Sequence, residues 1–432
     1  MDFANKMKDN IKTLLHTGFG HIFIANVVNQ VISFISGFIL IRVLTKTDYG
    51  IYSYAFNIYS FIALVNGFGV ESACLQVCSE NRNDRMKCNS YMRFGFLFGS
   101  CFNIILGSVI VFVARFFPFA INGTAEIFVL FACLPFLTTI FNLVQAYFRY
   151  NLLNAEYSKN SVVNTALILL GSVFGAFLFN AAGLIVFREC AMLLSIGIGI
   201  YCFRLPLKEI LNAIKLTVSE KRDIFKIAGI SMLNIATGQL LYLIDVFLIG
   251  IMISDAMVVA SYKTATIIPN ALLFIPTSLA VYIYPYFAEK QNDKRWVKQK
   301  FYSILKYFAP FNALISVGLI IFAPLIIQIL FGKQYLDAVP AFRILSLSYF
   351  FSATFRKIIG NLLVTQRKLK VNFWLGITES VLNIISNTIL IYFYGAIGAA
   401  ITTLLICIIS SFISMVYFLR YLNKEIHRVE VE

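Results

Sequence analysis

The chain is built from apolar stretches of about twenty residues that succeed one another along its length, with only short polar interruptions. A helix needs about 20 such residues to cross the ~30 Å hydrocarbon layer of a bilayer, because each residue advances it by about 1.5 Å. Twelve stretches meet this requirement. The first six lie at 20–41, 50–74, 94–113, 127–148, 162–179 and 184–203, and the second six at 227–251, 258–287, 307–330, 341–363, 373–393 and 397–419. Hydrocarbon supplies no hydrogen-bond partners, so a chain crossing it this often is expected to be an all-α membrane protein. The charged share, 13% of 432 residues, is about half that of a soluble domain and leaves no room for a soluble catalytic domain. The N-terminus lacks a short apolar core ending in a small-residue cleavage site, so the first span is expected to remain as an anchor.

The net charge of +15 could suggest nucleic acid, but its distribution argues otherwise. Of the Lys and Arg outside the spans, 27 fall in the two tails and in alternate loops. Only Arg42, Lys46, Arg115 and Lys333 fall in the loops between. Such asymmetry orients a membrane protein with its basic loops in the cytoplasm, so both termini are expected there and no nucleic-acid partner is expected. The eight Cys lie mostly inside apolar stretches. Cys74, Cys78 and Cys88 cluster without a nearby His, and free core thiols are expected rather than a metal site.

The basic segment 205–226 separates two groups of six spans, giving an N-terminal bundle at 1–204 and a C-terminal bundle at 227–432. The halves echo each other faintly. Gly50-Ile-Tyr-Ser-Tyr-Ala55 resembles Ala260-Ser-Tyr-Lys-Thr-Ala265, 210 residues on, and Ala181-Ala-Gly-Leu184 resembles Ala396-Ile-Gly-Ala399, 215 residues on. An even number of spans per half implies the same topology in each, hence a pseudo-twofold along the membrane normal and a central cavity.

Nine charges fall within or at the edge of the spans: Glu71, Arg188, Glu189, Asp245, Lys263, Arg343, Arg356, Lys357 and Glu379. Facing lipid, they would together cost on the order of 20–30 kcal/mol, so they must mostly face protein or a wet cavity. Polar residues recur at helical spacing beside them: Asn26, Asn29, Ser33 and Ser36; Ser231, Asn234, Gly238, Tyr242 and Asp245; Lys263, Thr266, Asn270 and Thr277. Such stripes line cavities or bind helices to each other. Lys263 is the leading candidate for an anion contact, its alternative being an internal pair with Asp245. Arg356 and Lys357 point about 100° apart on a helix, so at most one aims squarely at a cavity. Lys263, Arg356, Lys357, Asn270, Asn26, Asn29 and Asn234 are the candidate substrate-binding residues. Asp245, Glu379 and Glu71 are candidate ion-coupling residues, with ion pairing as the alternative for each. No Walker-type loop, HExxH or Gly-x-Ser-x-Gly pattern appears, and neither cofactor nor metal is expected.

Several of these segments resemble the polysaccharide transporters of the multidrug/oligosaccharidyl-lipid/polysaccharide exporter superfamily. They are Arg42-Val-Leu-Thr-Lys-Thr-Asp-Tyr-Gly-Ile-Tyr52, Asp245-Val-Phe-Leu-Ile-Gly250, Tyr262-Lys-Thr-Ala265, Tyr284-Pro285, Leu330-Phe-Gly332, Ala338, Arg343-Ile-Leu345, Asn383, Asn387 and Gly395-Ala-Ile-Gly-Ala-Ala400. The likeness is greatest to O-antigen (Wzx-type) flippases. It implies a non-enzymatic carrier that moves an undecaprenyl-pyrophosphate-linked oligosaccharide from the cytoplasmic to the periplasmic leaflet of a bacterial inner membrane. It also implies membrane lipids, H+ or Na+, a polysaccharide polymerase and a chain-length regulator as partners. A cation-coupled drug exporter of the same superfamily is the nearest alternative. An integral polymerase would need sizeable outer loops, and the longest here is roughly 115–126.

Overall fold

Several helices in this chain start at a short polar side chain, Thr45, Asp84, Thr217, Asp255 or Asp293, that satisfies one of the first free backbone N–H groups. The computed structural model describes residues 18–431, apart from the side chains of a few positions within the helices. Every regular element among the described residues is helical. The chain divides into two compact units, Met1–Gln239 and Leu240–Glu432, the division falling within one helix.

The first unit opens with α1 (Gly18–Val43) and α2 (Lys46–Ala63), where the Thr45 hydroxyl caps α2 by accepting from Asp48 N at 3.1 Å. A break at Asn66–Gly69 follows, with Gly67, Phe68 and Gly69 all at positive φ, and then α3 (Val70–Glu80). Asp84 caps α4 (Arg85–Phe116) through Lys87 N at 3.0 Å. α5 (Thr124–Val129) runs through a tight turn into α6 (Leu134–Tyr150), and α7 (Asn154–Tyr201), α8 (Leu207–Leu211) and α9 (Val218–Ile253) complete the sequence. Thr217 and Glu220 form a reciprocal capping box at the start of α9, and the Thr217 donors hold the Glu220 carboxyl below its ordinary pKa. The basic segment ahead of α9 packs into this unit. Its Leu205, Ile210 and Leu216, with Ile224 from the start of α9, enter the core beside the buried free thiols Cys74, Cys78 and Cys88, while Arg85 pairs with Glu209 at 2.8 Å outside.

α7 contains 48 residues, enough for about 72 Å and twice the hydrocarbon thickness. It folds back on itself at Phe179 and Asn180 (φ 52°, ψ −140°). The two arms then pack backbone to backbone, so closely that a Cβ on Gly183 would lie 2.1 Å from the Gly175 carbonyl oxygen.

The second unit repeats this device. Its helices after α9 are α10 (Ala256–Leu272), α11 (Phe274–Glu289), α12 (Lys294–Ile321), α13 (Ala323–Leu330), α14 (Val339–Phe351), α15 (Lys357–Thr365), α16 (Leu369–Tyr394) and α17 (Ala396–Val431). α16 reverses into α17 at Gly395 (φ 57°, ψ −143°), and a Cβ on Gly398 would meet the Leu390 carbonyl oxygen at 2.1 Å. Asn180 and Gly395, Gly183 and Gly398, and Gly175 and Leu390 each stand 215 residues apart. The cap residues of α2 and α10, Thr45 and Asp255, stand 210 apart. The two offsets suggested by the faint sequence echo thus coincide with two repeated backbone devices.

Ten helices among the described residues are long and apolar enough to cross a membrane, against the twelve spans read from the sequence. The difference has a simple origin: α7 counts once although it is folded double, and the seventh stretch lies in α9, of which Leu243–Ile253 registers as a shorter apolar helix. Outward-facing Ile104, Ile105 and Phe112 on α4, and Leu314 on α12, suit contact with acyl chains.

Replacing Gly183 by Val should force the α7 arms apart at a cost of about 1–3 kcal/mol or more, and lower the thermal midpoint of the purified protein. Gly197→Ala, which has open space around its new Cβ, should leave the midpoint unchanged. Asn180→Gly should raise it, because Asn180 holds a backbone conformation that its counterpart Gly395 adopts without strain.

Candidate functional site

A membrane protein can hold charges at depth only where other polar groups answer them. In the second unit such groups gather around a cavity of about 90 Å³. α9 contributes Asp245, α10 contributes Tyr262, Lys263, Thr266 and Asn270, and the turn between α14 and α15 contributes Arg356. α16 and α17 supply Asn383 and Thr403.

Two local irregularities aim these residues. Pro269, on the cavity wall, has no N–H to donate within α10 and so loosens that helix beside Asn270. The turn Ser352–Arg356 is a π-helical bulge, in which Lys357 N reaches back five residues to the Ser352 carbonyl. Such bulges rotate the following residues relative to a regular helix, and here Arg356 comes to the cavity. Behind it, Asn312 accepts from Tyr349 Oη at 3.1 Å and donates to Thr354 Oγ1 at 3.2 Å, tying α12 to the bulge.

The cavity has an acceptor pole. Asp245 Oδ1 accepts from Asn383 Nδ2 at 3.2 Å and Asn387 Nδ2 at 2.8 Å, and Oδ2 accepts from Tyr262 Oη at 2.8 Å and Thr403 Oγ1 at 2.7 Å. The expected alternative of a Lys263–Asp245 pair is therefore not what forms: four neutral donors hold the carboxylate. Asn383 and Asn387, one helical turn apart on α16, face it together, and the Asn387 Oδ1 is buried without a partner.

The opposite pole is cationic. Lys263 is half-buried, and its ammonium makes no hydrogen bond or ion pair among the described residues. Arg356 also faces the cavity, while its guanidinium grips the Glu379 carboxylate at both oxygens, Nε to Oε1 at 3.1 Å. Glu379 is 7% exposed while Arg356 opens on the cavity, so this is a partly buried pair with fork-to-fork geometry. Its neighbour Lys357, about 100° around the helix, is not on the cavity wall and has contacts of its own. The structure thus brings Lys263, Asn270, Arg356 and Asp245 to one cavity, with Glu379 attached through Arg356.

The remaining candidates lie elsewhere. Glu71 sits in the first turn of α3, beside the break at Asn66–Gly69, its carboxyl hydrogen-bonded with Asn142 and its Oε2 buried without a hydrogen bond among the described residues. The break is held by Asn103, which accepts from Gly67 N at 3.0 Å and donates to Thr139 Oγ1 at 2.7 Å. Asn29 donates to Ser161 Oγ at 2.8 Å and so binds α1 to α7, while Asn26 is exposed on α1. The side chain of Asn234 lies outside the described residues. Thr277, the last member of the Lys263 stripe, belongs to α11, is exposed, and bonds back to the Leu273 carbonyl at 2.8 Å. Tyr262, Asn387 and Thr403 were not singled out from the sequence as site residues. The i, i+4 spacing of Asn383 and Asn387 was the available signal, but only the fold reveals that Asp245 is what they face.

Residues 39–340 match a family described as "Polysaccharide biosynthesis protein". An uncharacterized membrane protein of Methanocaldococcus jannaschii is 26% identical over 419 residues, covering 89% of this chain and 80% of its own. Among solved structures, an inward-facing multidrug resistance MATE family transporter of the MOP superfamily superposes with a TM-score of 0.76 at 13% identity, covering 92% of this chain and 95% of its own. The lipid II flippase MurJ in an inward closed conformation superposes with a TM-score of 0.73 at 15% identity, covering 95% and 91%. The chain has the fold of these membrane transporters, and by a match spanning more than half its length it belongs to the polysaccharide biosynthesis protein family.

Proposed function

We propose that this protein flips an undecaprenyl-pyrophosphate-linked oligosaccharide from the cytoplasmic to the periplasmic leaflet by alternating access. The observation that carries the reading is the Lys263 ammonium, without a partner among the described residues, in a cavity that also presents Arg356. An ion removed from water costs several kcal/mol unless a counter-charge answers it. A pyrophosphate entering the cavity would supply that counter-charge, and the Asn and Thr side chains around it suit a hydroxyl-rich glycan. The polyprenyl tail needs no such lining, because lipid already solvates it. No hydrolysis is required: a membrane potential negative inside favours outward movement of an anion by about 2.3 kcal/mol per charge per 100 mV.

Asp245 supports coupling to a monovalent cation. Its two oxygens, the side-chain oxygens of Asn383 and Asn387, and the Thr403 hydroxyl are oxygen donors from three helices, the kind of set that hard cations prefer. The same carboxylate is what a cation-coupled drug exporter, the second reading, would use. Against that reading stands the Lys263 ammonium, which has no counter-ion among the described residues and repels cationic drugs. Glu379 belongs with Arg356 as its counter-ion, a role in which it stabilises the fold rather than carrying an ion.

In sealed vesicles, Lys263→Ala should lower flipping of a pyrophosphate-linked glycolipid at least about tenfold, equivalent to about 1.4 kcal/mol, with the protein still folded. Lys263→Arg should retain a substantial part. Full activity of the alanine variant would remove Lys263 as the anion contact, and dye efflux in place of glycolipid flipping would favour the exporter reading.

Asp245→Asn should abolish the response of flipping to an imposed Na+ or H+ gradient while leaving its response to voltage. A gradient response that survives in this variant would move the coupling site elsewhere.

A further inference from the structure

A second polar pocket, of about 500 Å³, opens at the end of the second unit where its basic loops gather. Three segments form it: the turn after α11 with Gln291, the turn after α15 with Gln366 and Arg367, and the late part of α17 with Tyr421 and Glu425. Lys294, from the first turn of α12, completes the wall.

Two features of this pocket leave charge or hydrogen-bonding capacity only partly answered, although Lys294 Nζ also donates to the Gln291 carbonyl and lies near Glu425. Lys294 Nζ and Lys368 Nζ both approach the ring of Tyr421, at 5.2 and 4.6 Å from its centroid. Each contact is favourable by about 0.5–1 kcal/mol, but the two ammoniums repel each other, and Arg367 adds a third positive charge on the same wall. Glu425 is the carboxylate on this wall, so the balance is positive. The second feature is Gln366, 4% exposed. Its Oε1 accepts from Lys294 Nζ at 2.6 Å, and an ammonium can only donate, so the orientation of the amide follows. The Nε2 donor therefore faces away from Lys294, is buried, and has no partner among the described residues. A buried donor left unmade costs about 1–3 kcal/mol.

We propose that this pocket binds a phosphate group, and that the group is the headgroup of an anionic membrane lipid. A phosphate brings several acceptor oxygens and negative charge at once. It would relieve the repulsion between Lys294 and Lys368, suit the planar fork of Arg367 and, once the Gln366 side chain turns on the pocket wall, give its Nε2 an acceptor. The location argues for a lipid: Lys290, Lys298, Lys370 and Lys424, close in sequence to the segments that form the pocket, belong to the loops that charge asymmetry assigns to the cytoplasmic side, where anionic lipids concentrate. None of the transport-cavity residues takes part, so this inference stands or falls independently of the flippase reading.

The test uses the full-length protein in nanodiscs of phosphatidylcholine, with and without phosphatidylglycerol, read by native mass spectrometry and by thermal unfolding. Wild type should retain phosphatidylglycerol and gain a higher thermal midpoint from it. Arg367→Gly should reduce retention at least about tenfold and remove the gain. That variant should fold at least as well as wild type without the lipid, because Arg367 sits at φ 57°, where glycine is unstrained. Gln366→Leu should weaken retention in the same direction. A second arm adds inorganic phosphate to phosphatidylcholine discs. A midpoint gain there that Arg367→Gly abolishes would support the phosphate site but assign it to a free phosphate rather than a lipid. Equal phosphatidylglycerol retention by wild type and both variants, with no response to phosphate, would overturn the proposal.

Discussion

A charge placed in hydrocarbon must be answered by another polar group, and the second unit is arranged around that requirement. Asp245 is answered by four hydroxyl and amide donors from three helices, and Arg356 by Glu379. Removing one partner of such a buried set leaves a charge with neither water nor counter-ion, so these contacts fix the positions of α9, α10, α16 and α17 at the cavity. Lys263 alone of the cavity's charged residues has no such answer among the described residues. Within the cavity, the contrast between the answered Asp245 and Arg356 and the open Lys263 is what the proposed anion contact rests on.

The same solvent constrains the backbone. Irregular backbone is tolerated at membrane depth only where protein or a wet cavity meets the freed groups, so each interruption marks a place with a reason. The π-bulge at Ser352–Arg356 turns Arg356 to the cavity and is buttressed by Asn312, and Pro269 loosens α10 one residue before Asn270. The break at Asn66–Gly69 is met by Asn103 and Thr139 and places Glu71 at a fresh helix start. A third kind of interruption is structural: the reversals at Asn180 and Gly395 fold two spans against each other with no room for a side chain between them.

Those reversals also bear on ancestry. Position by position, at one offset, the two units share the residue of positive φ, the glycine after it, and the carbonyl that glycine presses upon. Repeated sequences drift, but a backbone reversal of this geometry admits few substitutes, so the device outlasts the resemblance between side chains. Asn180 stands opposite Gly395, and Asn is among the non-glycine residue types found most often at positive φ.

Much of this protein was legible in its sequence, because a bilayer imposes length and polarity on every segment that crosses it. The apolar stretches gave the spans, the distribution of Lys and Arg gave an expected orientation, and the rarity of charge at depth marked nine residues, of which Asp245, Lys263, Arg356 and Glu379 gather at or beside one cavity. Sequence spacing did not tell which charges would meet. Arg356 and Glu379 are 23 residues apart on different helices, and Asp245 meets Asn387 across 142. It likewise left Asn29, at a spacing identical to that of a cavity stripe, to be recognised as a helix-packing contact with Ser161. Periodicity specifies which face of one helix is polar. What that face looks at depends on packing against other helices, and packing is decided only when the whole unit closes.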